Sequence, residues 1–147
     1  MPLTADNDIA RLLRDTRTIA MIGASGRPGR ASNGVMQFLQ RQGYRVIPVN
    51  PTIAGQELNG ETVVASLDEI DEPIDMVDIF RRSDRAGEAI DAAIAAGAKS
   101  VWTQLGVIDE AAAARAEAAG LEIVMDRCPK IEIPRLGLQP VGGGPTH

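Results

Sequence analysis

From Ile19 to Gly29 the chain reads Ile-Ala-Met-Ile-Gly-Ala-Ser-Gly-Arg-Pro-Gly, an apolar strand that stops at Gly23 and passes through three evenly spaced glycines toward a helix. Lacking Cβ atoms, Gly23, Gly26 and Gly29 allow a sharp turn, close approach of the backbone to a ligand and tight packing against the helix that follows. The free N–H groups and dipole at the start of that helix favour an anion. The stretch has the form of a phosphate cradle, and the rest of the chain must supply a fold that can carry one.

It does so by alternating strand-like and helix-like stretches with short breaks, the pattern of a parallel sheet covered on both faces. Asp6 or Thr4 is placed to cap a first helix that carries Ile9, Leu12 and Leu13 on one face and ends near Asp15. A strand follows at Thr18–Ile22. After the glycines, Val35, Phe38 and Leu39 recur at helical spacing until Gly43, and Arg45–Val49 forms the second strand. Turn chemistry fills Pro51–Glu61, most clearly at Asn59-Gly60, and Ser66 caps a short acidic turn. Ile74–Phe80 reads as a third strand, Asp84–Ala96 as an alanine-rich helix ending at Gly97, and Ser100–Thr103 as a fourth strand. Asp109 caps a helix through Ala111–Ala119, which stops at Gly120 before a fifth strand at Glu122–Met125. The expectation is an α/β, Rossmann-like doubly wound sheet of five mainly parallel strands. Residues 139–147, ending Gly-Gly-Gly-Pro-Thr-His, hold too little apolar material to order themselves and are expected to form a flexible tail.

The 147 residues, 44% hydrophobic and 24% charged, suit one globular domain and leave no room for a second catalytic one. A net charge of -5 and a pI near 4.9 argue against a nucleic-acid or membrane-surface partner, because both need a broad basic field. Cys128 is the only cysteine, which excludes an intramolecular disulfide framework and agrees with a reducing compartment. The single histidine, His147, excludes a multi-histidine metal site. With no signal-peptide pattern at the N-terminus and no long apolar run, a soluble cytoplasmic protein is expected.

In an open parallel sheet, ligands bind beyond the carboxyl ends of the strands, where the strand order reverses. The residues there are Gly23 to Ser25, Asn50-Pro51, Phe80-Arg81-Arg82, Gln104-Leu105-Gly106 and Asp126-Arg127-Cys128. Several are polar or cationic although the strands before them are apolar, which suits a polar, anionic ligand. Ser25, Arg27, Arg30 and Ser32 add hydroxyl and guanidinium donors around the glycines. The spacing, however, is Gly-x-x-Gly-x-x-Gly rather than the dinucleotide Gly-x-Gly-x-x-Gly. Dinucleotide folds also end the second strand on an Asp or Glu that accepts the ribose hydroxyls. This chain has Asn50 there, followed by Pro51, so an NAD(P)-dependent oxidoreductase fragment becomes the weaker reading.

Five ordered blocks carry a closer resemblance: IGASGRPGRASN, VIPVNP, DMVDIFR, WTQLGV and VMDRCPKIE. From about Asp8 to Leu138 the chain resembles the small stand-alone CoA-binding proteins, which are similar to the nucleotide-binding domain of the succinyl-CoA synthetase alpha subunit. The resemblance implies a Rossmann-like domain that holds coenzyme A or an acyl-CoA across the strand ends, with no catalytic residues. It would place Gly23, Ala24 and Ser25 at the pyrophosphate, with Pro28 shaping the loop and Arg30 and Ser32 reaching phosphate oxygens. Asn50 and Pro51 would meet the adenosine side, and Phe80 with Arg81 would close over the nucleotide. Gln104, Leu105 and Gly106 would border the pantetheine path, with Asp126, Arg127 and Cys128 near its far end. The synthetase uses a phosphorylated histidine in a second domain; this chain has neither, so ligase chemistry is not expected of it alone. A homodimer, or a separately encoded ligase-like partner chain, is the protein interaction to consider.

Cys128 has two readings. Arg127 and Lys130 would favour its thiolate and, if it faces the thiol of bound CoA, a mixed disulfide under oxidising conditions; the alternative is a partly buried, inert thiol. Trp102 and Met21, Met36, Met76 and Met125 are assigned to the core. Asp75, Asp78, Asp109 and Glu110 are assigned solvated or capping roles.

Overall fold

The structure, a computed structural model, describes residues 1–141. Its elements follow in the order α1 (Asp6–Asp15), β1 (Thr18–Ile22), α2 (Ala31–Arg41), β2 (Arg45–Val49), β3 (Glu57–Leu58), β4 (Glu61–Thr62), β5 (Met76–Ile79), α3 (Ser83–Ala95), β6 (Ser100–Thr103), α4 (Glu110–Ala118), β7 (Glu122–Val124) and α5 (Pro129–Arg135). Five strands pair in parallel in the order β2-β1-β5-β6-β7. The chain leaves β1 for β2 on one side and returns to β5 on the other, so the order reverses between β1 and β5. This is the doubly wound α/β fold read from the sequence.

Strand residues alternate between two cores, because successive side chains point to opposite faces of a sheet. Ile19, Met21, Val46, Met76, Trp102 and Val124 pack with α1, α2 and α5. Ala20, Val77, Ile79, Val101 and Ile123 pack with α3 and α4, whose inward residues are mostly alanines. Trp102, Met21, Met36 and Met76 are fully buried, as core residues should be. Asp109 caps α4 by accepting the Ala112 N–H at 3.0 Å. Asp75 accepts the Arg17 and Thr18 N–H groups, each at 3.0 Å, and ties down the start of β1.

Five local expectations are corrected. Neither Asp6 nor Thr4 caps α1: Ala5 holds that position without a side-chain bond, and Asp6 is held instead by Arg135 of α5. The third strand is shorter than Ile74–Phe80, although the Asp75 and Phe80 N–H groups still donate to β1 at Thr18 and Ile22. The stretch after Pro51 contains a two-stranded antiparallel hairpin, β3 with β4, turning at Asn59-Gly60, where both residues have positive φ. Helix α5 was not expected, because Pro134 stands inside it; Pro129 at its first turn is the signal that favours it. Val141, placed in the expected tail, is buried and donates its N–H to Gln42 O at 2.8 Å. Residues 142–147 of that tail, His147 among them, lie outside the described residues.

Candidate functional site

The reversal of strand order opens a cleft at the carboxyl edge of the sheet, and a cavity of about 1100 Å³ occupies it. One wall is the loop from Gly23 to the start of α2. A second is Asn50 with the hairpin segment, including Thr52, Ile53, Gln56 and Leu58. The far wall is Phe80, Arg81 and Arg82 after β5, with Gln104, Leu105 and Val107 after β6. The volume is at the upper end of small-molecule sites, roughly 300–1000 Å³, and suits an extended ligand.

Gly23 is where the walls come closest. Its φ is +85°, and a Cβ there would lie 2.2 Å from the Phe80 carbonyl oxygen. Its N–H donates to Val49 O at 2.9 Å, so the residue joins the ends of β1, β2 and β5. The other two glycines are less constrained: a Cβ on Gly26 would touch Leu58 at 3.3 Å, and one on Gly29 would meet nothing within 4 Å.

The loop then folds back on serine hydroxyls. Ser32 Oγ accepts the Ser25 N–H at 3.1 Å, and Ser25 Oγ accepts the Arg27 N–H at 3.1 Å. Arg30 is the N-cap of α2 and makes no side-chain capping bond; the Asn33 N–H donates to Arg30 O at 3.2 Å, while the Ala31 and Ser32 N–H groups have no partner among the described residues. Arg27, Arg30, Arg81 and Arg82 all line the cavity, with Glu57 the only acidic residue on its walls. Among the described residues only Arg82 of these four has an ion pair, with Asp84 at 3.3 Å on the exposed surface. Unpaired guanidinium groups beside the start of α2, in a chain of net charge -5, make this edge locally positive, a setting that suits an anion.

Asn50 has a structural task. Its Nδ2 donates to Ala24 O at 2.8 Å, and its Oδ1 accepts from Thr52 N at 2.9 Å and Thr52 Oγ1 at 2.8 Å. The amide thus braces the glycine loop against the end of β2. A carboxylate here would have no donor for Ala24.

Of the residues singled out in the sequence, Gly23, Ser25, Arg30, Ser32, Asn50, Phe80, Arg81, Gln104 and Leu105 line this cavity. Ala24 is buried beneath the loop, and Pro28 stands outside the lining on the exposed loop. Pro51 lines a smaller cavity of about 210 Å³ on the α3 side, shared with Gly23, Asn50 and Arg81. Gly106, Asp126, Arg127 and Cys128 also stand outside the large cavity's lining. Asp126 Oδ1 accepts the Gly106 N–H at 2.6 Å, which fixes the loop after β6. Arg127 O accepts from Trp102 Nε1 at 2.8 Å, and its guanidinium pairs with the buried Glu132 at 3.3 Å. The sulfur of Cys128 is held at the start of α5, and burial pushes its thiol up despite backbone N–H groups from Lys130 and Ile131. Of the two readings of Cys128, its burial and the upward shift of its thiol favour the buried, inert one.

Sequence reasoning placed Arg82 at this edge but missed the hairpin wall and the contribution of Val107, neither of which carries a periodic signal. It also misplaced Asp78. Rather than solvated or capping, Asp78 is wholly buried on β5, where its Oδ1 accepts from Gln104 Nε2 at 2.6 Å. Burial raises its carboxyl to about 7, with the Gln104 bond pulling the other way.

The same chain pattern occurs in known proteins. An uncharacterized protein of Bacillus subtilis, YneT, is 39% identical over 124 residues, covering 84% of this chain and 90% of its own length. A hypothetical protein from Pyrococcus horikoshii has a solved structure with a TM-score of 0.86 at 38% identity, covering 92% of this chain and 96% of that one. A Thermus thermophilus structure gives a TM-score of 0.86 at 37% identity, covering 90% of this chain and 99% of that one. The family model described as a CoA binding domain matches residues 17–134. That match takes in all five strands and every wall of the cavity, so the chain belongs to the CoA binding domain family.

Proposed function

We propose that this protein binds coenzyme A or an acyl-CoA in the large cavity and performs no chemistry on it. The observation that carries the reading is the set of cavity-lining arginines, Arg27 and Arg30 beside the N-terminus of α2 and Arg81 on the facing wall, which have no ion pair among the described residues. Coenzyme A brings a pyrophosphate and a ribose 3′-phosphate, a dense anionic end that matches such a cluster. Gly23 to Ser25 and Arg30 take the pyrophosphate in this reading, and Arg27 and Arg81 are within the same cavity for the remaining phosphate. The walls beyond Phe80 become less charged at Gln104, Leu105 and Val107, as the uncharged pantetheine arm requires. Two buried groups support a binding rather than a catalytic role: Cys128 is kept as a thiol, and Asp78 is sequestered behind Gln104.

Thermal denaturation with added ligand tests this. A ligand at a hundred times its dissociation constant stabilises a fold by about 2.7 kcal/mol, so coenzyme A should raise the melting temperature by several degrees. Dephospho-CoA should do so less, and NAD not at all. No shift with coenzyme A or acetyl-CoA, or an equal shift with NAD, would remove the reading.

A further inference from the structure

Asp78 lies wholly buried in the sheet, with Met21 and Trp102 as its cross-strand neighbours. Its Oδ1 is taken by Gln104 Nε2 at 2.6 Å, while Oδ2 has no partner among the described residues. Gln104 is itself nearly buried, yet it reaches the wall of the large cavity. Its Oε1 accepts no hydrogen bond from the described residues and is not among the buried orphan atoms, so it keeps some exposure on a residue that lines the cavity. An ionised carboxylate only accepts. It therefore fixes the amide group of Gln104 with its NH2 inward, and the planar geometry of the amide turns the carbonyl oxygen outward.

We propose that Asp78 is a positioning residue that sets Gln104 as a hydrogen-bond acceptor at the β6 end of the cavity, where it reads an amide N–H of the pantetheine arm. The proposal rests on the cavity being a coenzyme A site and adds the feature that selects for the arm over the nucleotide. Phosphate oxygens are acceptors and repel an amide oxygen, so the β6 end of the wall, at Gln104, does not suit the anionic end. The donors left on the ligand are the arm's N–H, O–H and S–H groups, the ribose 2′-hydroxyl and the adenine amino group. Leu105 and Val107 stand beside Gln104 on the cavity wall, an apolar setting with one polar point that matches an arm alternating methylenes with amides.

The pair also makes the selection depend on pH. A protonated Asp78 can donate its O–H to Gln104 Oε1, which reverses the amide and presents NH2 to the ligand instead of oxygen. The elements around Asp78 offer few competing groups. The residues of α1 and α2 buried against the sheet are apolar apart from Ser32, and β1 carries no titratable side chain. On α5, Cys128 is close enough for the Asp78 charge to push its thiol up, Lys130 acts on the same thiol, and Glu132 is committed to Arg127 and Arg135.

The test is calorimetric titration of the full chain with coenzyme A and with adenosine 3′,5′-bisphosphate, which keeps the anionic nucleotide and lacks the arm. The wild type should prefer coenzyme A, and this preference should weaken as pH falls through about 7. In Asp78→Asn, whose amide can donate as well as accept, the preference at high pH should drop about tenfold and lose its pH dependence. Gln104→Met should lose the preference to the same extent, and it tests the acceptor without altering the buried carboxylate. Retention of a wild-type preference in both variants, or a pH-independent preference in the wild type, overturns the proposal while leaving the coenzyme A site intact. Equal weakening of both ligands puts the acceptor against the nucleotide and overturns the assignment to the arm. If the wild type binds neither ligand, the coenzyme A reading itself fails.

Discussion

Gly23 and Phe80 lie so close that a Cβ on the glycine would stand 2.2 Å from the Phe80 carbonyl oxygen. This contact joins the ends of β1 and β5, the two strands between which the chain reverses direction across the sheet. The cleft exists because these ends meet without side-chain bulk between them. Gly23→Ala must both hold a left-handed φ of +85° and displace the Phe80 backbone. Strain and overpacking together should cost about 3 kcal/mol or more. Urea denaturation measures this, and a loss below about 1 kcal/mol would show that the loop relaxes around the new methyl group. Gly29→Ala is the contrast, since nothing lies within 4 Å of its Cβ position and only small changes are expected.

Asn50 occupies the place of the acid that accepts ribose hydroxyls in dinucleotide folds, and its amide holds Ala24 O and Thr52 simultaneously. Asn50→Asp keeps the bonds from Thr52 but sets a carboxylate oxygen against the Ala24 carbonyl. Loss of the donor and the new repulsion should destabilise the fold by about 1–3 kcal/mol. The same substitution should not create NAD affinity, because the acid is drawn into the loop rather than presented to a ribose. Detectable NAD binding by the variant, with stability unchanged, would show that Asn50 is not a brace.

Arg30 combines exposure with the absence of any ion pair among the described residues, so its side chain contributes little to the folded state. Arg30→Ala should change stability by no more than about 0.5 kcal/mol. Coenzyme A affinity should fall by about 10- to 100-fold, the value of one charge-assisted hydrogen bond to phosphate. Titration at two salt concentrations adds a check, because the wild-type affinity should weaken more steeply with salt than that of the variant. Unchanged affinity would remove Arg30 from the phosphate contacts.

The parallel sheet was legible because its strands are continuous apolar runs between helices of clear period, and every strand named from the pattern lies within one or two residues of its place. What escaped was short or interrupted. β3 and β4 have two residues each, too few to alternate, and only Asn59-Gly60 betrays the hairpin. Pro134 breaks the helical reading of α5, although a proline near the end of a seven-residue helix removes a single backbone bond. Asp126 and Arg127, read beside the ligand path because they follow a strand, also hold the neighbouring loop and α5, which no strand pattern shows. Asp78 was hidden because a pattern shows which face a residue shares, not whether a partner such as Gln104 waits there.

That buried pair has a stability consequence with a definite sign. Burial raises the Asp78 carboxyl from its ordinary 3.8 to about 7 in the folded protein. Between these values the folded state binds a proton that the unfolded chain releases. The stabilisation linked to this group is therefore complete below about pH 4 and is lost as pH rises through about 7. Asp75, at the opposite edge of the sheet, behaves in the reverse sense: although its burial raises the carboxyl, the backbone N–H groups of Thr18 and Arg17 and the nearby Lys99 outweigh it and lower the value. Its contribution is present in both proteins and cancels in their difference. Asp78→Asn cannot ionise, so it should be more stable than the wild type at about pH 8, with a ceiling of about 4 kcal/mol, and converge on it toward pH 4. Urea unfolding at several pH values measures the difference, and a constant offset across the range would show that the carboxyl does not titrate on folding. The buried carboxylate thus costs the fold stability at pH 8 that an amide would not, while holding Gln104 by its Nε2.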